Sequence, residues 1–156
     1  MNLLNEYGYC TYGGENAPKA SLLPARVTAV YRERYEIVSE TGIGFARLKG
    51  TLHHDPQAIF PTVGDYVWIQ PQSGDAQIIL TMPRRTYFER RDPSGRGMRA
   101  QALAANFDTV FILTSLNEEF NPRRLERYLA LARQSGAQPV IVLTKSDLAA
   151  DAHDYL

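Results

Sequence analysis

The sequence predicts two folding units in tandem: a small closed β-barrel, then the first strand–helix–strand segment of a parallel α/β sheet. The barrel is predicted by five short strand-like runs within roughly sixty residues, separated by turns containing Gly or Pro. The α/β segment is predicted by two continuous apolar runs on either side of one amphipathic helical stretch. Between the two grammars lies a connector rich in arginine and without an apolar period.

Residues 1–21 are rich in Tyr, Gly and Asn and show no period, so they are expected as a flexible arm. The barrel is assigned to residues 22–83. In its first run Val27, Ala29 and Tyr31 alternate with Arg26, Thr28 and Arg32. Tyr35 to Ser39 is the second run, Gly42 interrupts it, and Ile43 to Leu48 is the third. Leu52 to Pro61 is polar and carries His53 and His54, which reads as a loop or short helical turn. Val63-Gly64-Asp65 is a turn into Tyr66–Gln70, Pro71 to Gly74 is another, and Gln77 to Met82 is the fifth run. Strands this short favour closure, because closure removes exposed edges. An OB-fold has this size and strand number, and an SH3-like barrel is the alternative.

Residues 84–106 form the arginine-rich linker, with a turn at Asp92-Pro93-Ser94-Gly95 and a short helical piece expected at Gln101 to Ala105. Residues 107–156 follow a different pattern. Thr109 to Ser115 is continuously apolar, as for a strand buried on both faces. Asn121-Pro122 supplies an N-cap and a proline at the first helical position. Leu125, Tyr128, Leu129 and Ala132 then form one apolar stripe, and Gly136 is a natural stop. Val140 to Leu143 is a second buried strand, which makes a right-handed βαβ unit of a parallel sheet.

Composition narrows the function classes. The chain has 17 Lys+Arg against 17 Asp+Glu, so it is not a uniformly basic nucleic-acid binder. Yet only Lys19, Lys49 and Lys145 are lysines, and arginine's planar donor fork suits phosphates and base edges. Arg26, Arg32, Arg34 and Arg47 share strands or turns with Tyr31, Tyr35 and Phe45, and Arg84, Arg85, Arg90 and Arg91 open the linker. These eight arginines are the candidate RNA contacts. The competing reading has the aromatics, Trp68 among them, filling the barrel while arginines solvate its outside. Arg123, Arg124, Arg127 and Arg133 read as a solvated helix face. The lone Cys10 excludes an internal disulfide and a cysteine-rich zinc site. With no apolar run of membrane-spanning length and no leader pattern, the expectation is a cytoplasmic protein without a membrane partner.

The sharpest signal is Thr144-Lys145-Ser146-Asp147, directly after the last strand. Ligands of open α/β sheets bind at the carboxyl ends of strands. A carboxylate there can accept two hydrogen bonds from guanine, which offers a ring N–H beside an exocyclic amine; adenine does not. The lysine stem can lie along the base while its ammonium stays in water.

These four residues resemble the [N/T]KxD guanine motif of GTPases, and the surrounding sequence resembles one family, the ribosome small-subunit-dependent GTPases (RsgA/YjeQ). The matching pieces run in family order from Pro24-Ala25-Arg26-Val27 and Val63-Gly64-Asp65-Tyr66-Val67, through Gln101 to Asp108, Ser115-Leu116-Asn117 and Arg123 to Leu129, to Val140 through Leu148. The resemblance implies an N-terminal OB-fold on ribosomal RNA and a circularly permuted GTPase domain. It also implies GTP/GDP and Mg²⁺ as ligands, the small ribosomal subunit as partner, and a zinc-binding C-terminal region. Carried over, Asp147 would read guanine, Lys145 would pack on the base, Ser146 fills the variable position, and Thr144 departs from the commoner Asn.

The sequence holds no Gly-Lys dipeptide and therefore no phosphate loop. Asp92-Pro93-Ser94-Gly95 fits a D-x-x-G pattern but precedes the guanine motif, so it is not the magnesium motif. The expectation is a fragment with no catalytic residue of its own, inactive alone, from a GTP hydrolase of small-subunit maturation. The rival expectation is a complete, non-enzymatic OB-fold module that binds RNA.

Overall fold

The computed structural model describes residues 2–12, 17–55, 57–90, 101–117 and 120–148. The chain divides into two compact units, Met1–Asn106 and Phe107–Leu156.

The first unit opens with two one-turn helices, α1 (Leu3–Glu6) and α2 (Tyr9–Tyr12). Five strands follow: β1 (Leu23–Val30), β2 (Tyr35–Ser39), β3 (Gly42–Leu48), β4 (Tyr66–Gln70) and β5 (Ala76–Thr81). They close into a barrel in the order β1-β2-β3-β5-β4. β4 returns to β1 with Ala25 opposite Val67, and β3 pairs in parallel with β5, Ala46 opposite Ala76. This five-stranded closure is the OB-fold, which decides against the SH3-like alternative.

Period-2 alternation fills the barrel. Ala25, Val27, Ile37, Ala46, Val67, Ile69 and Ile78 form its buried core. Small side chains at Ala25 and Ala46 suit an interior this narrow, since small barrels are filled by side chains alone. The expected face of Val27, Ala29 and Tyr31 does not persist. A bulge between Val27 and Ala29 breaks the alternation, and Tyr31, beyond the strand end, is 54% exposed.

Residues 1–21, expected as a flexible arm, contribute to a second apolar cluster. Every residue of Tyr66–Ile69 is buried, so β4 is covered on its outer side as well. Leu4, Leu22 and Met82 cover the outward-facing Tyr66 and Trp68, and Asn2 caps α1 by accepting from the Leu4 N–H at 3.1 Å.

The expected helical piece at Gln101–Ala105 is instead a strand, β7, paired antiparallel with β6 (Tyr87–Arg90). Alanine favours helix, but tertiary bonds override that preference. The Ala105 N–H donates to the Val63 carbonyl at 2.9 Å, and the Thr62 hydroxyl lies 3.2 Å from the carbonyls of Ala102 and Leu103. The expected turn at Asp92–Gly95 lies outside the described residues.

In the second unit β8 (Thr109–Ser115) and β9 (Gln138–Thr144) pair in parallel, joined through α3 (Pro122–Gln134). The Asn121 side chain caps α3 by accepting from the Arg124 N–H, with Pro122 next. Ala132 is buried, but Tyr128, expected in the same stripe, is 51% exposed. Burial of β8 on both faces is also corrected: Ile112 is buried, whereas its neighbours Phe111 and Leu113 are 64% and 67% exposed. Two strands and one helix give a two-layer packing that covers a single face.

Candidate functional site

The first candidate site is the chain segment leaving β9. Thr144 is its last residue, and its hydroxyl donates to the Thr114 carbonyl on β8 at 3.3 Å. The Leu116 N–H donates to the Thr144 carbonyl at 2.9 Å, so the ends of both strands are tied together. Lys145 then adopts φ +58°, the left-handed region, and Ser146–Leu148 forms a single 3₁₀ turn. For a lysine that conformation costs on the order of 1 kcal/mol and concentrates at ligand sites. Lys145, Ser146 and Asp147 are all exposed at this strand end. A fixed backbone exit thus presents an acceptor-only carboxylate to solvent two residues after a lysine.

The second candidate site is the set of barrel arginines, which the structure separates into two groups. Arg26 is engaged with backbone: its Nη2 donates to the Asn106 carbonyl at 2.9 Å, its Nε to Gly64 at 3.3 Å, and its Nη1 to Tyr7. Its guanidinium also lies 5.0 Å from the Tyr66 ring centroid. Arg84 grips the fully buried Asp65, Nε to Oδ1 at 2.9 Å and Nη2 to Oδ2 at 2.7 Å. Arg85 reaches the Thr11 carbonyl at 3.1 Å. These three arginines tie the strand-entry turn, the N-terminal segment and the end of β7 together. Their partners Asp65 and Asn106 had no sequence signal beyond turn chemistry.

Arg32, Arg34 and Arg47 sit elsewhere, around the β1–β2 connection and the outer side of β3. Arg32 is exposed and makes no ion pair among the described residues. Arg34 Nη2 and Arg47 Nε donate to the two carboxylate oxygens of Asp75, at 2.7 and 2.9 Å. Those bonds, Arg34's first, hold the Asp75 carboxyl below its ordinary pKa. The Arg34 guanidinium carbon lies 4.2 Å above the Phe45 ring, and Phe45 is 6.3 Å from Tyr31. The Arg34 Nε is enclosed and has no hydrogen-bond partner among the described residues. The aromatics divide likewise: Trp68 and Tyr66 are core, and Phe45 and Tyr31 are on the outside. Asp75 is a participant that sequence reading missed. The side chain of Arg90 and the whole of Arg91 lie outside the described residues.

Among the described residues no helix is long and apolar enough to cross a membrane.

A family model described as RsgA GTPase matches residues 81–155. The small ribosomal subunit biogenesis GTPase RsgA 1 of Listeria monocytogenes is 42% identical over 154 residues, covering 98% of this chain and 43% of that protein. The RsgA of Mesorhizobium japonicum is 44% identical over 156 residues, covering 97% of this chain and 42% of its own length. The chain thus spans about two fifths of the curated relatives it matches. Among solved structures, YjeQ from Thermotoga maritima aligns with a TM-score of 0.64 at 22% identity, over 86% of this chain and 45% of that one. YloQ, a circularly permuted GTPase, aligns at 0.63 and 20% identity, over 91% and 47%. At those identities the likeness concerns the fold.

Proposed function

The chain belongs to the RsgA GTPase family, and on that premise we propose that the intact protein is a GTP hydrolase of small-ribosomal-subunit maturation. In this reading the barrel docks on ribosomal RNA and the segment after β9 reads guanine. GTP binding holds the protein on the subunit, and hydrolysis to GDP releases it.

The observation that carries the reading is Asp147, exposed in the turn that directly follows β9 of a parallel pair. An ionised carboxylate there accepts from both donors of the guanine edge, and the Lys145 stem lies along the base. Thr144, bonded to Thr114, fixes the exit of the strand. The phosphates and Mg²⁺ fall to a phosphate loop that these 156 residues do not supply, since they contain no Gly-Lys pair. The rest of the α/β domain would cover Phe111 and Leu113, and zinc would belong to the C-terminal region that the family resemblance implies. A cytoplasmic location belongs to the same proposal.

On the barrel, Arg32, Arg34 and Arg47 with Tyr31 and Phe45 are the proposed RNA face. Arg26, Arg84 and Arg85 are assigned to holding the fold. The rival reading, a non-enzymatic module, treats residues after the barrel as an appendage, and the family match over residues 81–155 disfavours it.

The test is a nucleotide competition on the intact protein with and without small subunits. GTP should displace a labelled guanine nucleotide and ATP should not, and subunits should raise turnover. A preference for ATP would end the proposal.

A further inference from the structure

We infer that Arg34, backed by Phe45 and held at its edge by Asp75, is a stacking platform for one unpaired RNA base. The inference rests on the RNA reading above and names the class of RNA it takes.

Three features define the platform. Phe45 occupies one face of the Arg34 guanidinium at 4.2 Å. Asp75 occupies its edge at 2.7 Å and holds Arg47 beside it. The Arg34 side chain nevertheless remains 42% exposed. With one face and one edge taken, the group offers its free face outward. Its enclosed Nε has no acceptor among the described residues, so the guanidinium is set for the ring beneath it rather than for the greatest number of hydrogen bonds.

A phosphate is a poor match for this surface. Two guanidiniums sharing one carboxylate leave a single net positive charge, and the carboxylate repels a phosphate at Arg34's own edge. A flat, polarisable base is a good match, because guanidinium planes stack on unpaired bases. In a duplex both faces of a base are covered by its neighbours, so the platform selects single strands, bulges or loops. Tyr31, 54% exposed and 6.3 Å from Phe45, borders the same surface, and Arg32, next in the chain, is exposed and is assigned to the RNA backbone.

The experiment titrates the 156-residue chain over a salt series with two RNAs, an unstructured uracil-rich strand of about 12 nucleotides and a fully paired hairpin of similar charge. The single strand should bind about tenfold tighter, and Arg34→Lys should remove about tenfold of that affinity, because it keeps the charge and loses the plane. Phe45→Ala should weaken single-strand binding with little change in salt slope, because it removes the backing ring and no charge. Arg32→Ala should flatten the slope by about 0.7, and Asp75→Asn should steepen it by about the same amount by freeing one arginine charge. Equal binding of the two RNAs, an unaffected Arg34→Lys, or an unaffected Phe45→Ala overturns the platform while leaving RNA binding intact. Binding of neither RNA overturns the RNA reading and the platform with it.

Discussion

Asp65, with no solvent-exposed surface, lies in the fork of Arg84, with both of its oxygens accepting at 2.9 and 2.7 Å. The same carboxylate accepts from the Thr62 N–H at 2.8 Å, and Arg84 also reaches the Phe60 carbonyl at 3.0 Å. Removing one partner of such a pair strands a buried charge, which costs about 3–5 kcal/mol. Arg84→Ala should therefore lower the urea midpoint of the barrel unit sharply. Because Arg84 is 15% exposed and already paired, the variant should leave the salt slope of RNA binding unchanged wherever it stays folded. A stable Arg84→Ala protein with a flattened slope would return Arg84 to the RNA face.

Gly64 stands against the β7 backbone. It adopts φ +90°, and a Cβ built on it would meet the Ala105 carbonyl oxygen at 2.0 Å, far inside contact distance. That backbone is held in place by the Ala105 bond to Val63, so neither side can yield cheaply. Gly64→Ala should release β7, visible as fast hydrogen exchange of the Ala105 amide. Gly42 is the control. It also has positive φ, +118°, but nothing lies within 4 Å of its Cβ position. Gly42→Ala should cost only backbone strain, on the order of 1–2 kcal/mol, and leave Ala105 protected. Equal exchange in the two variants would show that the close approach is not what matters.

Asp75 makes the pH dependence of the outer face specific. Hydrogen bonds from Arg34 and then Arg47 hold its carboxyl below the ordinary value of 3.8. A folded pKa below the unfolded one means that the ionised form is favoured by folding. The contribution is complete above the unfolded pKa and disappears as pH falls through the folded one. The stability gap between wild type and Asp75→Asn should be present at about pH 7 and close below about pH 4. Both partners are substantially exposed, so the gap is small and should shrink further in salt. A gap of the same size at acid and neutral pH would place its origin in packing.

Much of this was legible in the chain because local rules and tertiary needs agreed. Val27 alternates with Arg26 and Thr28 and does line the barrel. Asn121-Pro122 starts a helix by chemistry that needs no distant partner. Three of the readings that changed depended on residues far along the chain. Gln101–Ala105 looked helical because its composition favours helix, whereas its backbone bonds go to Thr62 and Val63. Arg26 looked like a free cation because its acceptor on Asn106 is 80 residues away. Leu4 sat in a segment with no period, and its burial depends on Tyr66 and Trp68 pointing out of the barrel. At the strand end after β9 the position of Asp147 was legible, because strand, turn and acid are consecutive. The left-handed backbone at Lys145 was not, since no glycine or asparagine announces it.

That strand end carries the most selective prediction. In the proposed pose the Asp147 carboxylate accepts from the ring N–H and the exocyclic amine of guanine. Replacing it by Asn turns one acceptor into a donor, which then faces the amine. One charge-assisted bond becomes a donor–donor contact and the other loses its charge, so GTP affinity of the intact Asp147→Asn protein should fall on the order of 100-fold. Xanthine carries a carbonyl where guanine carries the amine, so the new amide donor has an acceptor and xanthosine triphosphate should bind the variant better than GTP does. The measurement is competition of both nucleotides against a fluorescent guanine nucleotide on wild type and variant. Because Asp147 is exposed in a single turn after β9, the substitution should leave the unfolding midpoint of the protein unchanged. A uniform loss of both nucleotides with an intact fold would mean that Asp147 supports the turn and some other group reads the base.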